Sequence, residues 1–234
     1  MKINVVKIVV NVLDFLLKPV KSVKWHNLRS KTPVSSIFGL DRGTPIDRVY
    51  IEHFLKSNED SIRGVCCEIA DNTYTKKFGN NVDQYEILHY NNENKKATIV
   101  GDLSDLDSVP HNIIDCFILT QTLNFIYDFK SAIKGLHAML KKDGVALITV
   151  AGISQISRYD YERWGDFWRF TDLSILKAFE EVFEKGNVEV ECYGNVLSSI
   201  AFLEGISAEE LKHDELFFKD RNYQLLITIK AIKQ

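Results

Sequence analysis

Leu140-Lys141-Lys142-Asp143-Gly144-Val145-Ala146-Leu147-Ile148-Thr149-Val150 is the stretch on which the fold turns. Ahead of it, Phe125, Phe129, Ile133, Leu136 and Leu140 recur at helical spacing, which predicts a helix over 123–140. The two lysines suit the negative end of that helix's dipole, and Gly144 is expected to supply its left-handed cap. Val145 to Val150 then reads as a near-continuous apolar strand, the pattern of a central parallel strand covered on both faces.

Working outward, the same alternation repeats. Toward the N-terminus, Ile114–Thr120, Ala97–Val100, Val82–Tyr85 and Val65–Ala70 are further strand candidates. Toward the C-terminus, Leu173–Phe183 reads as a helix, and Val188–Tyr193 and Leu225–Ile232 as two final strands. Thr44 as N-cap, Pro45 at the first helical position and Asp47 at the third predict a helix running to about Leu55. The expected fold is therefore α/β: a doubly wound, Rossmann-like, seven-stranded and mostly parallel sheet with helices on both faces.

The chain has 234 residues, 45% hydrophobic and 26% charged, enough for one large core. Its charge is uneven. Residues 1–31 hold seven basic side chains and one acid, Asp14, whereas 32–234 hold 22 basic and 31 acidic ones. Within the first segment the apolar stretch Ile3–Leu17 is interrupted at Asn4, Lys7, Asn11 and Asp14, at helical intervals. Fifteen residues fall short of the ~20 needed to span a bilayer. The segment reads either as a basic amphipathic arm for a membrane surface or partner, or as a helix packed on the domain. Two regions follow: the arm, 1–31, and a domain, 32–234. The acidic remainder argues against a nucleic-acid partner. Cys66, Cys67, Cys116 and Cys192 lack metal spacing and read as buried thiols of a cytoplasmic protein, one with peripheral membrane contact if the arm binds lipid.

Ligands of doubly wound sheets bind beyond the carboxyl ends of the strands. Acids recur there: Glu68 and Asp71 around the first strand end, Glu86 after the second, Asp102 after the third. A carboxylate at the second strand end accepts from a ribose diol, and one at the third can accept from an exocyclic amine, which together point to adenosine. The first loop, Glu68 to Tyr74, contains no glycine, so it does not build a pyrophosphate cradle, and Asp71 would repel one. A cationic or zwitterionic tail fits better, as in S-adenosylmethionine.

On these residues the chain resembles a class I S-adenosylmethionine-dependent methyltransferase from about Gly64 onward. Glu68-Ile69-Ala70-Asp71-Asn72 stands where that family has an acid and a glycine-rich loop. Glu86 matches its ribose-binding acid, and Asp102-Leu103 its adenine-contacting pair. Ile118-Leu119-Thr120-Gln121-Thr122-Leu123 matches its fourth-strand motif, followed by the Leu-Lys-Lys-Asp-Gly-Val turn at 140–145. The resemblance thus implies cofactor contacts from Glu68, Ala70, Asp71, Asn72, Glu86, Asp102, Leu103, Thr120 and Gln121. Ala70 is the departure, because the family has glycine there. Phe38–Arg48, Asp71–Phe78 and Gly152–Thr171 are also similar to a bacterial subgroup associated with glycan biosynthesis, which implies a small polar or glycan-related acceptor methylated on a hydroxyl oxygen.

Gly152–Thr171 is dense in Trp, Tyr and Arg, and is expected to form a lid over the acceptor or an aromatic mini-core on the sheet. Asp160 and Asp166 are the expected proton acceptors. Arg158, Tyr159, Arg163, Trp164, Trp168 and Arg169 are the expected acceptor contacts. Asp41 and Arg42 either close the site from the opposite side or make a turn. No metal is expected. The alternative reading is a degenerate, non-catalytic scaffold of the same fold, motivated by Ala70 and the glycine-free loop.

Overall fold

The computed structural model describes residues 26–234. Most of the 1–31 arm therefore lies outside the described residues. Its last part contains a single turn of 3-10 helix at His26–Arg29, and residues 1–32 separate from 33–234 as a distinct unit.

Residues 33–234 build a seven-stranded sheet: β1 (Gly64–Ile69), β2 (Val82–His89), β3 (Ile99–Val100), β4 (Ile114–Thr120), β5 (Leu140–Ala151), β6 (Val188–Tyr193) and β7 (Leu226–Ile232). The strand order is β3-β2-β1-β4-β5-β7-β6. Pairing is parallel from β3 through β5, and β7 runs antiparallel to both neighbours. The chain reverses direction of travel between β1 and β4, the switch point at which such sheets open a crevice.

Helices cover both faces: α1 (Ile46–Ser57), α2 (Thr73–Phe78), α3 (Phe129–Met139), α4 (Arg158–Tyr161), α5 (Asp172–Phe183), α6 (Val196–Glu204) and α7 (His213–Phe217). One core layer packs α3 and α5 against Phe117, Leu119, Ala146, Ile148 and Ile229. The other packs α1 and α6 against Cys66, Cys116, Ile118 and Leu147. Strands β4 and β5 alternate their side chains between these two apolar layers, which is why their sequences read as continuous apolar runs.

Several boundaries differ from the sequence expectation for local reasons. The expected 123–140 helix is a 3-10 turn at Leu123–Phe125 followed by α3, because Asp128 restarts the helix by accepting from the Ser131 amide. The helix ends at Met139, and Leu140 already pairs with Ile114 in the sheet. Asp143, not Gly144, takes the left-handed conformation (φ 63°). Thr44 does not cap α1. Its amide and hydroxyl instead donate to Glu209 at 2.6–3.1 Å, and α1 starts at Ile46 without a side-chain cap. Strand β2 continues through Glu86 to His89, so Glu86 lies within the strand and not after it.

Candidate functional site

A cavity of about 260 Å³ opens at the carboxyl ends of β4 and β5. Thr120, Gln121 and Asn124 form its floor, and Ala151 continues it at the end of β5. One wall comes from the start of α1 (Asp47, Arg48, Ile51). The opposite wall comes from the segment after β5 (Ser154, Gln155, Ser157, Asp160, Asp166, Arg169). Phe38, Leu40 and Phe202 close a third, apolar side. The post-β5 segment is thus the roof of this cavity and also a packed cluster, since different residues of it do each job.

Asp166 has its side chain 1% exposed and receives Arg169 through two parallel bonds, 2.5 Å to Oδ1 and 2.9 Å to Oδ2. The Ser157 amide adds a third bond at 3.2 Å. With both oxygens engaged by a fixed guanidinium and the side chain almost fully buried, Asp166 holds the segment's shape. Arg169 also donates to the Gln155 and Trp168 carbonyls, so it clamps the segment and has little left for an acceptor. Ser157 caps α4, its Oγ accepting from the Asp160 amide and donating to Asp160 Oδ2 at 2.6 Å, and Asp160 lines the cavity.

The remaining expected acceptor contacts lie elsewhere. Arg158 pairs with Glu162 on the surface. Arg163 stacks on Tyr159, 3.5 Å from its ring centre. Trp168 is pinned by its indole N–H to the Tyr127 carbonyl and packs on Phe129. Trp164 reaches over to the end of β2, edge-on to Tyr90 and His89. None of these five side chains lines the cavity, whereas Asp160, Asp166 and Arg169 do. Asp41 accepts from Ser35, and Arg42 pairs with Glu210, which are turn and strap roles.

The acids of β1–β3 form a second group along the same carboxyl edge. Glu68 is buried, and its carboxylate accepts the Tyr74 and Thr75 amides at the start of α2. Burial pushes its pKa up, and those amide bonds oppose the shift. Glu86 is also buried and accepts from Gln84 Nε2 and Thr98 Oγ1. Asp102 is exposed and accepts from the Ser104 amide and hydroxyl. Leu103 is a core residue, 3% exposed, so its side chain is not available to a ligand. Asp71 makes a local turn with the Thr73 amide, and Asn72 precedes α2 without a side-chain cap.

Ala70 occupies the left-handed region, φ 68°, with its carbonyl accepting from Asn94 at 2.7 Å. That is the conformation glycine adopts at no steric cost. The methyl group therefore adds local strain to the turn after β1. Gln121 takes a left-handed turn after β4 (φ 48°). Tyr74, within the first loop, is buried, and its hydroxyl accepts from Arg48 at 2.5 Å.

Two polar groups of this cavity escaped the sequence reading as site residues, Asp47 and Asn124. Asp47 faces the cavity, with Gln121 Nε2 at 3.5 Å as its side-chain donor. The protein packed around it pushes its carboxyl above the usual range. Neighbouring Arg48 opposes that shift but directs its guanidinium to Tyr74. The signal was present: Asp47 lies three, four and seven residues before Tyr50, Ile51 and Phe54, on the inward face of α1. Among the described residues, Gln121 Oε1 and Asn124 Oδ1 are buried acceptors without partners, and both residues line the cavity.

The family model described as a methyltransferase domain matches residues 63–148. No curated protein matches the chain. Among solved structures, an S-adenosylmethionine-dependent methyltransferase from Mesorhizobium loti is similar at 14% identity and TM-score 0.51, over 83% of this chain and 100% of that one. The cyclase SpnF is similar at 13% identity and TM-score 0.52, over 82% of this chain and 84% of that one. A SAM-dependent methyltransferase from Archaeoglobus fulgidus gives 14% identity and TM-score 0.49, over 80% and 94%. The chain thus has the Rossmann-like methyltransferase fold, with a methyltransferase domain matched over 63–148.

Proposed function

We propose that the protein is an S-adenosylmethionine-dependent methyltransferase acting on a hydroxyl oxygen of a small polar or glycan-related acceptor. The observation that carries the reading is the cavity at the ends of β4 and β5, lined by carboxyl groups from both α1 and the post-β5 segment. The cofactor's adenosine half fits the β1–β3 edge. Glu86 retains lone pairs beyond its two donors, and the exposed Asp102 can accept from an amine. The partnerless acceptors Gln121 Oε1 and Asn124 Oδ1 fit a ligand that brings donors to the cavity floor.

When bound, the cofactor supplies an electrophilic methyl group on a sulfonium. The chain's own work is to hold the acceptor oxygen in line with that carbon and to receive its proton. Asp47 and Asp160 are the carboxylates left to do so. Asp47 is the better placed, because crowding raises its basicity while Gln121 orients it. Arg169 and Asp166 fix the roof under which the acceptor lies.

Calorimetric titration with S-adenosylmethionine and S-adenosylhomocysteine tests the cofactor. Both are expected to bind, and Glu86→Ala and Asp102→Ala each to weaken binding by about tenfold. Absence of binding by either ligand to the wild type sinks the enzyme reading and favours the degenerate scaffold.

A further inference from the structure

Helix α6 is apolar on both faces. Ser198, Ser199, Ala201 and Phe202 face inward, whereas Val196, Leu197, Ile200 and Leu203 face outward, 37–49% exposed. A surface helix of a globular domain ordinarily presents polar residues outward. The apolar strip continues at the helix's far end. Ser35 N–H donates to the Glu204 carbonyl, and Phe38 packs on Phe202 at 5.7 Å, bringing exposed Val34, Ile37 and Leu40 alongside. Leu40 is 59% exposed and yet lines the cavity, so the strip runs directly into its mouth.

We propose that this strip is a docking face for an anionic lipid surface, and that the acceptor is a lipid-linked polar molecule delivered from it. The inference rests on the methyltransferase reading for the acceptor but not for the docking face. A lipid surface is favoured by charge. The chain immediately preceding Val34 carries seven basic residues and one acid over residues 1–31, together with the apolar stretch Ile3–Leu17. Anionic headgroups satisfy the cations while the acyl boundary covers the apolar side chains. Of the nearby acids Glu210 is paired with Arg42, while Glu209, Asp41 and Glu204 keep their charge and are outnumbered by the seven basic residues of 1–31. Among the described residues no helix is long and apolar enough to cross a membrane. The cavity matches an amphiphile: Asp47 and Asp160 meet the polar group inside, while the exposed Leu40 meets the hydrocarbon at the entrance.

The test compares the full chain with its Leu197→Asn/Ile200→Asn double variant, once matched circular dichroism shows both are folded. Co-sedimentation uses phosphatidylcholine vesicles with and without phosphatidylglycerol. The wild type is expected to bind the phosphatidylglycerol vesicles, and the double variant to partition at least about tenfold less. S-adenosylhomocysteine affinity should be unchanged in the variant. Equal partitioning of the two proteins overturns the docking face. So does a wild-type dimer in sedimentation velocity that ignores vesicles and dissociates in the variant, since a second copy would then cover the strip. Loss of S-adenosylhomocysteine binding in both proteins, with vesicle binding intact, overturns the methyltransferase reading alone. With membranes as acceptor, label from methyl-labelled S-adenosylmethionine should enter the organic-solvent extract. Label confined to the aqueous phase, or none despite intact cofactor binding, overturns the lipid-linked acceptor.

Discussion

The two halves of the sheet's carboxyl edge make opposite use of their acids. Along β1 and β2, Glu68 and Glu86 are buried and met by the protein's own donors, two backbone amides for the first and Gln84 with Thr98 for the second. At the ends of β4 and β5, Asp47 from α1 and Asp160 from α4 line the cavity, and among the described residues Gln121 Oε1 and Asn124 Oδ1 have no partner. The first half is internally satisfied and rigid. The second is incomplete without a ligand, and it costs stability to keep it so. An acid's position in the sequence therefore tells which edge it lies on, not whether it is free to act.

The sharpest way to break this contrast is to unbalance the one acid on the cavity side that is satisfied. Arg169→Ala strips Asp166 of its bidentate partner while leaving the carboxylate 1% exposed. Breaking a buried ion pair from one side costs ~3 kcal/mol or more. We expect a loss of that order in urea denaturation, with the roof of the cavity opening to proteolysis within 154–169. Arg169→Lys should recover only part, because an ammonium cannot reproduce the two-point geometry.

The next test asks which open carboxylate takes the proton. Asp47→Asn is expected to lower methyl transfer by about a hundredfold, and Asp160→Asn by less. The two effects of Asp47→Asn should diverge. Crowding raises the carboxyl's pKa in the folded state, so its charged form costs stability above the folded pKa and costs nothing below the unfolded one. The variant should melt higher than wild type at neutral pH, and the gap should close as the pH is lowered into the acid range. A lower melting temperature at neutral pH would instead make Asp47 a structural residue.

Much of this arrangement was legible before any coordinates. Val188–Tyr193 and the α5 helix are strongly periodic and appear within a residue of expectation. Strands β1 and β4 were found because continuous apolar runs can be buried only between two helical layers, whereas β2 and β3, partly exposed, gave weaker patterns and β2 was expected four residues too short. The site was legible less evenly. Thr120, Gln121, Asp160, Asp166 and Arg169 do meet in one cavity, but Leu103 and Trp168 went to the core. Nothing in a single sequence separates a tryptophan that stacks on a ligand from one pinned by Tyr127. Asp47 was hidden by its double meaning, because an acid near a helix start also reads as a dipole partner. Helix α6 was missed altogether, because a nine-residue helix apolar on both faces has no polar face to give it a helical period.

On the rigid side, Glu68→Gln measures what the satisfied edge is worth. The amide keeps one acceptor for the Tyr74 or Thr75 N–H and presents a donor to the other. A buried amide facing a donor loses its hydrogen bond at a cost of ~2 kcal/mol. We expect that loss in thermal or urea unfolding, with faster hydrogen exchange at Tyr74 and Thr75. Little change would mean that α2 is held by Tyr74–Arg48 and by Phe78 packing instead.

The smallest effect should come from the strap that positions α1 beside the cavity. Glu209 accepts from the Thr44 amide and hydroxyl, and those bonds hold its carboxyl down to about 2. A lowered folded-state pKa contributes stability above the unfolded value, and that contribution disappears as the pH falls through about 2. Glu209→Gln should therefore be slightly less stable than wild type at neutral pH, by no more than about 1 kcal/mol because the group is exposed to solvent. The difference should shrink between roughly pH 4.5 and 2. Salt should weaken it little, since the bonds run to uncharged donors, whereas the neighbouring Arg42–Glu210 pair is screened. If Glu209→Gln also weakens acceptor binding at neutral pH, then Thr44 and the start of α1 move with Asp47, and the open wall of the cavity is set by this strap.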